Sequence, residues 1–179
     1  MILKGCGSVA DLLVEQLSGF GLATIMARKG VSGMAIGMAL GVEAPAQPAF
    51  CRGENNLALI GTGAGSWFAH TDMVSPAWHT ALRDRLAELA SVSDQSDGYM
   101  LIRLSGEDAR TVLQRGAAID FHPEVFAPGA AATTVIAHIG VVIWRRDDDA
   151  RGRPKYEIAT FRSYFDSFRR WLDHTAAAL

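Results

Sequence analysis

The feature that most limits the fold is a succession of short apolar runs separated by turns. Residues 133–138 and 141–144 are strand-like and separated only by a stretch around Gly140, and 156–160 follows after one charged loop. Strands joined this closely pair antiparallel, because a parallel crossover needs a dozen or more residues. Residues 99–104 add a strand ahead of them, and 22–28, 57–60 and 90–93 read as strands in the first half. The expectation is therefore an α+β fold, with largely antiparallel sheets and packed helices, rather than a doubly wound parallel sheet.

Helical spacing predicts helices over 9–17 with Ser8 as cap, 31–40, 76–89 behind Ser75 and Pro76, 105–113, and 162–174. Ser105 and Asp108 stand in capping-box positions. Gly33, Gly37 and Gly41 form one stripe that lets another backbone approach closely. Two prolines in residues 43–48 mark a linker, and the charged run 145–154 is read as a solvated turn. The 179 residues suit a single domain, 1–179, with two lobes, 1–90 and 91–179, as the open alternative.

Charge is distributed unevenly. Of 17 basic and 19 acidic residues, nine lie in 1–82 and the rest in 83–179. A first half this poor in charge is either interior or offers a dry surface to a partner. The net charge of −2 gives no basic excess for nucleic acid or anionic lipid. The longest uncharged apolar run, 30–42, falls short of the ~20 residues that span a bilayer. Asp11 and Glu15 break any leader-like hydrophobic region, so a cytoplasmic location is expected. Cys6 and Cys51 have no partner pattern for zinc and read as free thiols.

The candidate chemistry is thin. Gly61-Thr62-Gly63-Ala64-Gly65-Ser66 follows a strand, as a dinucleotide fingerprint does, but Ser66 holds the third glycine position and no helix begins. A structural glycine turn is the better reading. His70, His79, His122, His138 and His174 share no helix at metal-ligand spacing, and no nucleophile elbow occurs. Asp94 and Asp97 have the look of paired carboxylates, but Ser96-Asp97-Gly98 before a strand is ordinary turn chemistry. At the C-terminus, Phe161, Phe165, Phe168 and Leu172 share one helical stripe, and Tyr164 and Trp171 form another. With Arg162 and Arg169, the second stripe has the composition of a protein interface.

Several segments in one order resemble the gamma subunit family of heterotetrameric sarcosine oxidase. They are 93–113 (SDQSDGYMLIRLSGEDARTVL), 116–126 (GAAIDFHPEVF), 133–144 and 161–165 (FRSYF), and the glycine turn ending at Trp67 adds to them. The first 50 residues match weakly. The resemblance implies a fold like the folate-binding domain of the glycine-cleavage aminomethyltransferase family. It implies a non-catalytic role, with no cofactor on this chain, beside alpha, beta and delta subunits that demethylate sarcosine to glycine oxidatively. FAD, FMN, NAD, tetrahydrofolate and zinc are implied for those other subunits. Trp67, Arg162, Tyr164, Arg169 and Trp171 are the interface candidates, and no catalytic residue is assigned. A stand-alone folate- or small-molecule-binding module is the rival reading.

Overall fold

The structure, a computed structural model, describes residues 11–54 and 56–179. The chain forms two compact units, one of residues 18–99 and one that joins the N-terminal segment to residues 100–179.

The first unit is a five-stranded sheet. Its strands are β2 (Gly21–Ala27), β3 (Phe50–Arg52), β4 (Leu57–Gly63), β5 (Ser66–Thr71) and β6 (Ala90–Asp94), in the order β3-β4-β5-β2-β6, every pair antiparallel. Alternate residues turn to one face, as the two-residue period of a strand requires. Ala23, Ile25, Leu59, Trp67 and Ala69 pack there against Ile36 and Leu40 of α1 (Gly33–Leu40) and Leu82 of α2 (Trp78–Arg85). The helix expected over 76–89 is shorter than its signals suggested. Ser75 accepts from Trp78 N through its backbone carbonyl, not its side chain, and α2 starts two residues after Pro76.

The second unit is also five-stranded. Its strands are β1 (Leu13–Leu17), β7 (Tyr99–Ser105), β8 (Ala131–Ile136), β9 (Ile139–Arg146) and β10 (Lys155–Phe161), in the order β1-β7-β10-β9-β8. Helices α3 (Ala109–Gln114) and α4 (Phe165–Ala177) cover one face. Phe168 and Leu172 of α4 are fully buried with Ile102, Ile143, Tyr156 and Ile158. Burying each such side chain stabilises by about 2 kcal/mol, more than any propensity term in the helix.

Three expectations are corrected here. The segment read as a helix over 9–17 is a strand where it is described, pairing Leu13 with Ser105 through Leu17 with Leu101. Ser8 and Val9 lie outside the described residues. Leucines at 12, 13 and 17 fit a helix over so few positions, but the free edge of β7 supplies a ladder of hydrogen bonds that the local pattern cannot reveal. The expected capping box does not form. Ser105 ends β7, and the Asp108 carboxylate accepts from the N–H of Asp11 at 2.8 Å instead. The hairpin expected to turn at Gly140 turns earlier, since Gly140 pairs with Val135 inside the ladder.

The two turn residues are Ala137 (φ 51°) and His138 (φ 65°). Both adopt the left-handed conformation that a two-residue hairpin with this twist demands, although neither is Asn or Gly. Replacing them together, Ala137→Asn with His138→Gly, relieves that strain while keeping the Ala137 N–H bond to Gly116 O. The double variant is expected to gain about 1 kcal/mol, a rise of about 2–4 °C in melting temperature by calorimetry.

The charged run is less solvated than expected. β9 carries Arg145 into the interior, 5% exposed, where its guanidinium donates to Phe126 O at 2.9 Å and Asp148 at 2.9 Å and stacks over Tyr156. Asp149 organises the rest. Its carboxylate accepts from the Arg153 guanidinium at 2.7 Å and from the backbone of Arg151 and Arg153. The Arg153 side chain foremost, then these N–H groups, draw the Asp149 carboxyl down from the usual 3.8 to about 2. A depressed carboxylate stabilises the folded loop above its ordinary pKa, and the contribution disappears as pH falls from about 4 towards 2. Nuclear magnetic resonance should place the Asp149 midpoint near 2. Asp149→Asn should make the bond after Arg151 markedly more sensitive to trypsin at neutral pH; unchanged cleavage would contradict the assigned role.

Candidate partner-binding surfaces

Helix α1 is the most unusual surface of the first unit. Ser32 caps it, its hydroxyl accepting from Ala35 N at 3.3 Å, and Gly41 ends it in the left-handed conformation with its N–H on Gly37 O at 2.8 Å. The chain then doubles back against the helix. A Cβ on Gly37 would stand 2.9 Å from Val42 O, and one on Gly33 would stand 3.3 Å from the Trp67 ring. The glycine stripe thus serves a close approach, between α1, the returning segment 42–44 and β5. With Ile36 and Leu40 buried, Met34 and Met38 project outward at 77% and 80% exposure. No charged residue occurs between Lys29 and Glu43. An ordinary exposed helix carries charge on its outer face. This one carries two methionines one turn apart, flexible apolar side chains suited to moulding against a partner. In the connection after β5, Met73 is 81% exposed and Val74 44%.

The interface candidates of the sequence fall in different places. Arg162 and Tyr164 sit in a 3-10 turn, Arg162–Tyr164, and are exposed beside Phe161 at the end of β10. Trp171 packs on Phe168 with ring centroids 5.6 Å apart and covers Gly116, where a Cβ would meet the indole at 2.3 Å. Arg169 pairs with Asp173 one turn on, at 3.0 Å. Trp67 is 2% exposed, its indole N–H donating to Pro45 O at 2.8 Å. Of the five, only Arg162 and Tyr164 are therefore exposed. The stripe over 161–172 loses its first member because Phe161 belongs to the strand; the 3-10 turn begins at Arg162, where the sequence places the helix start, and α4 follows three residues later.

The chemical candidates resolve into structure. Gly61–Ser66 forms a β-hairpin between β4 and β5, with Gly65 left-handed (φ 63°) and a bulge between Gly61 and Gly63. Gly61 is needed because a Cβ there would lie 2.6 Å from Gln47 O. Antiparallel strands on both sides leave no helix N-terminus for a pyrophosphate. Asp94 accepts from Ser96 N at 2.9 Å, and that hydrogen bond chiefly holds its carboxyl below the usual range. The turn reading thus holds for Asp94, although Gly98 is not among the left-handed glycines. Burial, reinforced by Glu43, pushes the Cys51 thiol up, which makes it a poor nucleophile. Cys6 lies outside the described residues. Among the described residues no three His, Cys, Asp or Glu side chains converge as a metal site would require.

One cluster escaped the sequence reading. Glu157 in β10 is completely buried. Its carboxylate accepts from Arg103 of β7 at 2.5 Å, from Arg146 of β9 at 3.0 Å and from the Trp144 indole at 2.8 Å. Glu15 extends the row at 4.0 Å from Arg103. Cross-strand register alone aligns these residues, so no sequence spacing announces them. Each charge has an opposite partner within contact, and the row reads as a structural brace.

The architecture places this chain in the aminomethyltransferase-like α+β class. A solved glycine cleavage system aminomethyltransferase T from Bartonella henselae superposes with a TM-score of 0.65 at 15% identity, over 91% of this chain and 45% of that one. A chain of the heterotetrameric sarcosine oxidase from Corynebacterium sp. U-96, solved with pyrrole 2-carboxylate, superposes with a TM-score of 0.81 at 24% identity, over 93% of this chain and 84% of that one. The chain belongs to the sarcosine oxidase, gamma subunit family, whose model matches residues 29–178. Sarcosine oxidase subunit gamma of Corynebacterium sp. strain U-96 is 28% identical over 140 residues, covering 77% of this chain and 65% of the relative. That of strain P-1 is 32% identical over 85 residues, covering 48% of this chain and 39% of the relative. The chain thus spans under two thirds of the length of these relatives.

Proposed function

We propose that the chain is the non-catalytic gamma subunit of a heterotetrameric sarcosine oxidase and works by packing against alpha, beta and delta subunits. The observation that carries this reading is the family match over 29–178, joined to an uncharged methionine face on α1. A face of that kind suits permanent association better than life as a monomer. In this reading the flavins, NAD, tetrahydrofolate and zinc belong to the other subunits. The large subunits carry out oxidative demethylation of sarcosine to glycine within one-carbon metabolism, in the cytoplasm. No helix among the described residues is long and apolar enough to cross a membrane.

Co-expression with the other three subunits tests this. A stoichiometric four-chain complex is expected, and the isolated chain should oxidise no N-methyl amine when FAD and FMN are supplied. A three-chain oxidase that assembles and turns over equally well without this chain would refute the assignment.

A further inference from the structure

The segment 116–126 has no part in the role proposed above, yet it builds a cleft. In α3, Ala109, Val112 and Leu113 are buried, which turns Arg110, Thr111, Gln114 and the following Arg115 outward. The chain leaving the helix folds back beside this face. The Gln114 amide fixes it from both ends, Nε2 donating to Ile119 O at 3.0 Å and Oε1 accepting from Phe121 N at 3.1 Å. Phe121 is fully buried and anchors the far end. Asp120 closes a turn by accepting from His122 N at 2.8 Å. The result is a cavity of about 390 Å³ lined by Arg110, Thr111, Gln114, Arg115, Asp120 and His122. That volume is within the range of small-ligand sites.

Its polar groups are unevenly satisfied. Arg115 donates through one nitrogen to Thr175 O and Ala178 O, at 3.4 and 3.1 Å, which fixes the guanidinium at the end of α4. Arg110 makes no hydrogen bond or ion pair among the described residues, and its positive charge reaches Tyr156 only at longer range. The Thr111 hydroxyl likewise has no hydrogen bond among them. Two arginines and one carboxylate therefore line a cavity whose wall is locked in place. A guanidinium fork matches a carboxylate in geometry and charge. Asp120, on the same wall, repels a bare anion but accepts from an amino or hydroxyl group on the ligand.

We propose that this cleft binds a carboxylate that also carries an amino or hydroxyl group, with Arg110 as the main anchor, Thr111 and Arg115 beside it, and Asp120 receiving the second group. The carboxylate belongs either to a free small acid that carries both groups or to an Asp or Glu side chain of a partner subunit, with a neighbouring hydroxyl or amine of that partner meeting Asp120. This proposal stands apart from the subunit assignment, because titration of the lone chain tests the pocket whether or not the complex forms.

The experiment has two arms, with Arg110→Gln as the test variant and Arg170→Gln, an exposed α4 arginine away from the cleft, as control. In the first arm the full chain is titrated with glycine, lactate, acetate and inorganic phosphate while the amide resonances of Thr111, Gln114 and His122 are followed. Saturable shifts with glycine or lactate, weaker with acetate, and weakened about tenfold by Arg110→Gln but not by Arg170→Gln identify a free acid as the ligand. In the second arm the variants are co-purified with the other subunits. If free acids do not bind and Arg110→Gln alone reduces assembly, the carboxylate is the partner's. Melting temperatures of both variants verify that they fold. If neither arm separates Arg110→Gln from Arg170→Gln, or if phosphate binds best and ignores Arg110, the proposal is wrong.

Discussion

A Glu157→Gln chain is expected to melt roughly 6–12 °C below the parent, equivalent to about 3 kcal/mol in a chain of this size. Glutamine keeps the shape and one acceptor but removes the charge that two arginines converge on. Trp144 can still donate to the amide oxygen, so the loss falls on Arg103 and Arg146. These retain some contact with water, at 26% and 16% side-chain exposure, which places the effect at the lower end for a broken buried pair. The sharper measurement is a double-mutant cycle. Glu157→Leu alone should cost as much as Glu157→Gln or more. Adding Arg103→Met to it should recover part of the loss, and adding Arg146→Met as well should recover most of it, since only a brace removed as a unit leaves no buried charge behind. Additive losses in chemical denaturation would show that the three groups do not act together, and the brace would then be an accident of side-chain placement.

The same cluster shows where the sequence stopped informing. The short apolar runs at 57–60, 99–104 and 156–160 are local signals, and they marked the strands because a bounded run of that length needs only its own side chains to announce a buried strand. Short turns imposed antiparallel pairing for the same reason. Glu157, Arg103 and Arg146 come together only after register and strand order are set, and strand order is not written in any window. The segment 9–17 failed in the opposite direction. Its leucines satisfy a helical count, but β7 needed an edge partner, and β1 meets that need from almost 90 residues earlier in the chain. The aromatic stripe lost only its first residue, since Phe161 ends β10, while Phe168 and Leu172 are buried as the stripe requires. Trp171 also packs over an absence, the missing Cβ of Gly116, which no inventory of side chains reveals. The glycine turn at 61–66 was legible because it lacked the helix a phosphate site needs. The dry character of the first half was legible as missing charge, but only the fold shows that two methionines of one helix carry it outward.

Met34→Lys with Met38→Lys should leave the isolated chain as stable as before and abolish its incorporation into the oxidase. Lysine is as good a helix former as methionine, and both positions are already mostly in water, so the melting temperature should change by no more than about 2 °C. The cost arises only on docking. A lysine carried into an apolar interface must lose hydration without an acidic partner, and two on adjacent turns cannot both escape sideways. Each single change is expected to weaken binding about tenfold and the pair at least about 100-fold, a difference of roughly 2.7 kcal/mol. Co-purification at matched expression checks the loss, and sedimentation of the free chain checks the fold. The free double variant should also self-associate less than the parent, since the exposed apolar side chains of α1 are gone. Tyr164→Lys serves as the contrast. If it blocks assembly while the methionine pair does not, the docking face is the exposed aromatic corner at Phe161, Arg162 and Tyr164, and α1 owes its missing charge to something other than a partner. If the methionine variants fail to assemble while Tyr164→Lys assembles normally, a thirteen-residue stretch without charge has located the interface on a single helix.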